Sequence, residues 1–479
     1  MNRPILAGLL GLVVAGCAVP DAGPKGVLLD AQTLGLAGPA VPAAPEWWRG
    51  WNDTQFDALV ERALAGNPRL AEVMARVDAA RSAASMAKAD ALPRVTLDGE
   101  GQYQRFSNRF IYPPPLGGGH YFMGSVQGNL SWDLDFWGRQ KALIDQGRLG
   151  LDAAALDADA ARLALTATLA EAYVGLHHAY TMIDIADRTV AQRERLFTLA
   201  GKRVRAGLDS RIEEKQAEGL LAQARVVRQQ AVNDRDMAVH ALAALTGQGA
   251  GAYEQVARPT LETAAMLPLP EALPADLLAR RPDVLAARLR VDAATAGQSA
   301  ARAAFYPNVN LAAFAGWQAI GLGHLLDPSA RAYGAGPAVH LPLFDARLKP
   351  NYQAATAEID IAIAAYNGTV VAAVQQVADR LSGISSLRLE MADQAKARLA
   401  AEQAFALAER RYGGGLSTYL AVLSAETQLL DARRAEAALD AQYAIERIKL
   451  LVAMGGDFVA QASPEDISAA ARGRLAAKE

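Results

Sequence analysis

Cys17 is the only cysteine in this 479-residue chain, so no disulfide can form within it. Aromatic residues are also scarce, at 6%. Together with the abundance of alanine, that scarcity suits long, closely packed helices better than a conventional mixed core. Neither sign of charge is in excess: 48 basic and 51 acidic residues leave a net charge of −3. The balance gives no electrostatic case for nucleic acid as a partner. Past the N-terminal segment no uninterrupted run reaches about 18 apolar residues, so no transmembrane helix is expected there. Of six histidines, His177 and His178 are adjacent and point to different sides of a helix, without the i,i+4 spacing of a zinc pair. GQGAGAY after Thr246 is rich in glycine but lacks the strand and fingerprint of a dinucleotide loop, and it reads as a linker between two halves. The sequence offers no catalytic constellation, metal site or cofactor site, so the expectation is that it is not an enzyme.

The N-terminus carries an export signal. Arg3 precedes the apolar stretch ILAGLLGLVVAG, which is too short to span a bilayer comfortably. It runs into VVAGC, with small residues Ala15 and Gly16 before Cys17, the form of a bacterial lipobox. The expectation is a signal peptide over 1–16, acylation of Cys17 as the mature N-terminus, and a lipidated extension over 17–53. Residue 18 is alanine rather than aspartate, which favours forwarding to the outer membrane.

The rest of the chain is written twice. KRVRAGLDS and RRYGGGLST match, with Arg203 against Arg411, Gly207 against Gly415 and Leu208 against Leu416, all separated by 208 residues. The same offset aligns Phe136 with Phe344, Glu218 with Glu426, Arg225 with Arg433 and Gly247 with Gly455. Upstream the offset is 214, as in Arg76-Val77-Asp78 against Arg290-Val291-Asp292. The first copy therefore carries six extra residues, near the loop YPPPLGGGH. Repeat 1 is expected over 54–260 and repeat 2 over 261–460, followed by a C-terminal tail over 461–479.

Each copy has the same order of elements. Helical periodicity runs from Phe56 to Ala89 and from Leu277 to Ala304, each ending before a proline, Pro93 or Pro307. A β-hairpin follows at about 94–135 and again at about 308–344. Its clearest strand puts Phe122, Val126, Leu130, Trp132 and Leu134 on one face and Met123, Ser125, Gln127, Asn129 and Asp133 on the other. Long helical hairpins then span about 137–247 and 346–455. Leu169, Leu176, Ile183, Val190 and Phe197 recur every seven residues, as do Val370, Val377, Ile384 and Met391, the spacing of a supercoiled helix. From Trp137 to Ala206 such a helix would be on the order of 100 Å long. Gly207 stops it, and Ser210 with Glu213 forms a capping box that starts the return.

Four strands cannot close a membrane barrel, since the smallest use about eight. A strand set with one apolar and one polar face calls for lipid outside and water inside, so closure must come from oligomers: eight strands in a dimer or twelve in a trimer. The apolar face with Phe122, Val126, Leu130 and Leu134 is the candidate lipid-facing surface, and Trp132 is a candidate for an interfacial aromatic belt.

WWRGWNDTQFDALVERALAGNPRL, SWDLDFWGR, LLARRPDVLAARLRVDAATAGQSAARAAFYP, LPLFDAR and RRYGGGLSTYLAVLSAETQLLDAR resemble the TolC-type outer-membrane efflux proteins, and more narrowly their NodT/OprM-like lipoprotein branch. The resemblance covers nearly the whole chain from Trp47 to Gly456. It implies an α+β membrane protein: a homotrimer with a twelve-stranded outer-membrane barrel, four strands per chain, continued by a long α-helical periplasmic barrel. It also implies a passive exit channel of a tripartite pump that conducts drugs or other small toxic compounds. The partners would be a periplasmic adaptor protein, an inner-membrane transporter of the resistance-nodulation-division type, and outer-membrane lipid. A duct for type I protein secretion uses the same fold and is the alternative. A purely structural coiled-coil adaptor would lack the strands.

The resemblance also implies sites. The turns at Gly207, Leu208, Gly415, Leu416 and Ser417 would dock the adaptor. The periplasmic aperture would form just beyond, with Leu420 at the apolar gate position. Relatives often carry aspartate where this chain has Ala421 and Ser424, so the expected gate rests more on Leu420 and on polar contacts near Tyr412 than on an acidic ring. Glu213 could place carboxylates at the mouth or simply complete its capping box, and Arg205 and Asp209 could pair across neighbouring hairpins.

Overall fold

The structure is a computed structural model that describes residues 23–30, 34, 36, 46–109, 111, 113–261, 277–456 and 458. The signal segment, Cys17 and the tail 461–479 lie outside the described residues. Two compact units make up the chain: one includes residues 76–155 and 286–367, the other 29–75, 156–285 and 368–479.

Chain order is α1 (Thr54–Gly66), α2 (Pro68–Asp90), β1 (Arg94–Arg105), β2 (His120–Leu134), α3 (Arg139–Arg205) and α4 (Arg211–Leu245). The second copy repeats it with α5 (Leu277–Arg280), α6 (Pro282–Ala303), β3 (Asn308–Ile320), β4 (Arg331–His340), α7 (Leu348–Gly413) and α8 (Tyr419–Ala453). Inside α7 one 18-residue window is apolar enough by composition to cross a membrane, although no uninterrupted apolar run there is that long. Its Ala and Val content is that of a packing helix, and Val377 and Ile384 of α7 lie in a core with Leu450 of α8.

The continuous periodicity from Phe56 to Ala89 is broken in the structure. Pro68 forces Asn67 out of the helical region, to φ −72° and ψ 121°, and the Asn67 side chain accepts from the amides of Arg69 and Leu70 at 2.9 and 3.1 Å. Pro282 makes the same break after Arg281 in the second copy. Both breaks receive the far end of their own helical hairpin. The Asn67 amide donates to Leu245 O at 2.8 Å, and the Arg281 guanidinium donates to Ala453 O at 2.9 Å. Beside these contacts Gly247 and Gly455 have φ of +71° and +97°, and a Cβ on either would overlap the carbonyl oxygen of Gly66 or Arg280. Glycine is required here both for the left-handed backbone and for the close approach.

A compact core forms around Trp47, Trp48 and Trp51. Trp47 meets both of its neighbours edge-on at 5.8 Å, and Trp51 continues through Phe56 to the fully buried Tyr173. Asp53 fastens this cluster. Its carboxylate caps α1 through the amides of Gln55 and Phe56 and also accepts from Tyr173 Oη at 2.7 Å and Thr260 N at 3.0 Å. Burial works to raise the Asp53 pKa, but the hydrogen bonds from Tyr173, Thr260 and Phe56 outweigh it, and the group is held below its ordinary value.

The seven-residue spacing of α3 does not hold as a single seam. Leu169 and Leu176 are fully buried, whereas Ile183, Val190 and Phe197 are only half-buried. The inward stripe passes to Ile185, Thr189, Gln192, Leu196 and Ala200. A nearly straight helix turns every 3.6 residues, so a strict seven-residue repeat drifts by about 20° per heptad, and over the four heptads from Leu169 to Phe197 that moves the repeat off the core.

Candidate functional site

The four strands form one antiparallel sheet in the order β1-β2-β3-β4. Its register stacks like with like across all four strands. Val95 pairs with Leu130 and Tyr103 with Phe122; Val126 pairs with Trp317 and Leu134 with Val309; Ala315 pairs with Tyr333 and Val309 with Val339. Successive side chains alternate between faces, so these residues share one apolar face. Phe122 covers Gly101 and Gly124, whose missing side chains leave room for its ring, and Leu325 closes over Gly124 from the other side. Trp132 stands on the same face, 37% exposed, with its indole N–H donating to Ala91 O at 3.1 Å.

The opposite face is polar and bonded across the strands. Asn129 donates to Asp98 at 2.8 Å, and Asn310 donates to Asp133 at 2.8 Å and to Ser131 at 2.9 Å. Gln127 lies on this face, directly opposite Asp98. Among the described residues nothing pairs with the outer edge of β1 or of β4, which leaves two rows of backbone donors and acceptors to be met by another chain.

The two helical hairpins end in the same turn. Leu208 N donates to Arg203 O at 2.9 Å and Gly207 N to Val204 O at 3.0 Å; Leu416 N donates to Arg411 O at 2.7 Å and Gly415 N to Tyr412 O at 3.0 Å. Gly207 and Gly415 have φ of +72° and +73°. Each is a helix stop with a left-handed glycine and the paired bonds that go with it. The leucine after each glycine is exposed, 64% for Leu208 and 73% for Leu416.

Beside the turns, Leu196, Ala200, Ala217, Phe405, Tyr412, Tyr419, Val422 and Leu429 make a common core of both hairpins. Arg203 bridges them. Its guanidinium holds Asp209 at 2.8 and 3.0 Å, donates to Tyr412 O at 2.9 Å and lies 4.6 Å from the Tyr412 ring centroid. Tyr412 Oη donates to Asp209 at 2.5 Å. The Arg203 hydrogen bonds, helped by Tyr412, hold the Asp209 carboxyl below its usual range, while burial pushes the Tyr412 and Tyr419 hydroxyls up, Tyr419 to about 12. Asp209 is thus satisfied by Arg203 and Tyr412 of its own chain rather than by Arg205, which is exposed. Tyr412 is 1% exposed and belongs to the hairpin core rather than to an open surface.

Glu213 completes the capping box: Ser210 N donates to its carboxylate at 3.0 Å, and Ser210 Oγ accepts from Ile212 N at 3.1 Å. The Ser210 hydrogen bond holds Glu213 below its ordinary pKa. The second turn has no such cap, since the Thr418 side chain makes no capping bond. Leu420, 74% exposed, and Ser424, also exposed, lie one turn apart on the side of α8 away from Tyr419, Val422 and Glu426. Glu426 is buried and accepts from Gln192 at 3.0 Å and Arg193 at 3.2 Å. Its repeat partner Glu218 is exposed and paired with Lys215, a difference the alignment of the two copies did not disclose. The surface pairs Arg225–Glu194 at 2.9 Å and Arg433–Glu402 at 3.0 Å do repeat, again 208 residues apart.

A sheet with two unlike faces, two edges unpaired among the described residues and a pair of long hairpins ending in identical turns points to a channel-forming class of protein. The family model described as outer membrane efflux protein matches residues 59–248 and 273–456, and the chain belongs to that family. It is 36% identical to the fusaric acid resistance protein FusA of Burkholderia cepacia over 75% of this chain and 71% of that one. It is 31% identical to the multidrug resistance outer membrane protein MdtP of Shigella flexneri over 97% of this chain and 98% of that one. Among solved structures, the outer membrane protein VceC of Vibrio cholerae superimposes with a TM-score of 0.81 at 33% identity, covering 87% of this chain and all of that one. The fold is that of the trimeric outer-membrane efflux channels, with four strands per chain and a helical barrel, and the protein is an outer-membrane efflux protein that extends into the periplasm.

Proposed function

We propose that the chain is the passive exit duct of a tripartite pump that carries drugs or other small toxic compounds out of the cell. The observation that carries this reading is the sheet: one face apolar, one face polar, and both edges without a partner among the described residues. Three such sheets joined edge to edge give a twelve-stranded wall with lipid outside and water inside. The apolar face with Phe122, Val126, Leu130 and Leu134 meets lipid. The names of FusA and MdtP, which speak of fusaric acid and multidrug resistance, support a small-molecule cargo.

The partners in this reading are a periplasmic adaptor and an inner-membrane transporter of the resistance-nodulation-division type. The adaptor docks at Gly207 and Leu208 and at Gly415, Leu416 and Ser417, where two turns of the same geometry present exposed leucines. Leu420 forms the apolar gate, with Ser424 one turn above it. Cys17 carries the lipid. Residues 25–27, shortly after it, are tied to α7: Lys25 N and Gly26 N both donate to Asp360 at 2.8 Å, and Asn367 donates to Val27 O at 2.8 Å.

Deleting the gene and restoring it on a plasmid tests the function. Susceptibility to several unrelated small toxic compounds should rise on deletion and return to its starting level on restoration. Unchanged susceptibility together with loss of a large exported protein would make the chain a protein-secretion duct instead.

A further inference from the structure

The ends of the hairpins carry a charge opposite in sign to that of the chain. Residues 202–215 and 410–423 hold seven basic and three acidic side chains, whereas the whole chain is acidic by three. Two of the three acids are turned to their own chain: Asp209 is held by Arg203 and Tyr412, and Glu213 by the Ser210 cap. Arg203 is structural in the same way. Lys202, Arg205, Arg211, Arg410 and Arg411 are all exposed. The Arg203 bond to Tyr412 O holds the two turns side by side, so the five cations share one end of the hairpin pair.

Comparison of the copies shows that the fold does not ask for two of these cations. Arg205 corresponds to Gly413 and Arg211 to Tyr419, yet the two turns have the same glycine φ within a degree and the same pattern of backbone bonds. Tyr419 is buried in the hairpin core where Arg211 stands in solvent. Arg205 and Arg211 are therefore available to groups outside the chain, as are the exposed Lys202, Arg410 and Arg411.

We propose that the periplasmic mouth is anion-selective, and that this duct passes organic anions more readily than organic cations. The inference rests on the reading of the hairpin ends as the mouth of a trimeric duct. Three copies then bring fifteen of these cations to the opening, five from each chain. Rings of Arg and Lys at a constriction raise the local concentration of anions and exclude cations.

The test is the reversal potential of the purified full-length trimer in a planar bilayer, under a gradient of potassium chloride and then of potassium benzoate. Chloride should permeate at least about three-fold more readily than potassium, and benzoate should remain more permeant than potassium. Replacing Lys202, Arg205, Arg211, Arg410 and Arg411 with glutamine should bring the chloride-to-potassium ratio to about one or below. A second variant with lysine at the four arginine positions should keep the anion preference, and heat-resistant trimers on a gel confirm that each variant is assembled. A cation-selective channel, or an unchanged ratio in the assembled glutamine variant, overturns the inference and leaves the duct reading intact. A trimer that conducts nothing under any condition overturns the duct reading and this inference with it.

Discussion

Asp209 and Arg203 face each other across the first hairpin turn, with two hydrogen bonds of 2.8 and 3.0 Å, and Tyr412 of the second hairpin adds its hydroxyl to the same carboxylate. Both charged side chains are nearly buried, at 11% and 12% exposure, so the pair is more than a surface contact. Asp209→Asn should loosen the junction of the hairpins by on the order of 1–3 kcal/mol. Tyr412→Phe should cost less, since it removes one bond and keeps the ring. Resting conductance in a planar bilayer should rise in that order; conductance equal to wild type in both variants would show that the junction does not restrain the mouth.

The same pair sets a pH expectation. The Arg203 hydrogen bonds depress the folded-state pKa of Asp209 below 3.8, so its contribution is fully present above that value and is lost only as pH falls through the lower, folded one. Resting conductance of the wild type should be flat from neutral pH down to about 4 and should rise only below it. Asp209→Asn should lack that acid step.

Leu420 and Ser424 stand one turn apart on the exposed side of α8, yet they should behave differently. With Leu420 as the apolar gate proposed above, Leu420→Ala should enlarge the resting conductance, while Ser424→Ala should change it little. If Leu420→Ala has no effect and Glu213→Gln opens the channel, the gate is made of carboxylates.

Val126 and Gln127 are neighbours on opposite faces of β2. Arginine at Val126 should cost on the order of 2–4 kcal/mol if the position lies near the bilayer midplane. Arginine at Gln127, on the polar face, should be tolerated. Heat-resistant trimer on a gel is the readout, and identical behaviour of the two variants would reject the assignment of faces.

Gly247→Ala and Gly455→Ala place a methyl group against the Gly66 or Arg280 carbonyl in a left-handed backbone. Each should lower stability by on the order of 1–3 kcal/mol, read as a lower melting temperature of the purified trimer. Gly175→Ala in α3, where a Cβ would meet nothing within 4 Å, is the control that should leave it unchanged or higher.

Cys17 should be acylated and should begin the mature chain. Mass spectrometry of the N-terminal peptide decides it, and an unmodified peptide starting elsewhere would exclude the anchor. Cys17→Ser should weaken sorting to the outer membrane more than folding, because the barrel already holds the protein in the bilayer.

Much of this architecture was legible because it is local and written twice. Alternation in β2, the glycines at 207 and 415 and the Ser210–Glu213 spacing act over a few residues, so period and turn chemistry state them directly. Repetition then marked the elements, since chance does not keep Arg203 and Arg411, or Gly247 and Gly455, at one offset. Even the number of strands per chain, and hence the need for neighbouring copies, followed from counting.

What only the tertiary structure decided depends on which distant surfaces meet. Pro68 and Pro282 mark the breaks at Asn67 and Arg281 in the sequence; only packing shows that these breaks receive Leu245 and Ala453. Asp209 had several arginines within reach, and burial against Tyr412 chose Arg203. Glu218 and Glu426 occupy equivalent places, yet only Glu426 faces Gln192 and Arg193 and is buried. A repeat fixes which backbone turns recur, because those obey local torsions. The environment of each side chain is fixed by long-range packing, which differs between the copies wherever their neighbours differ.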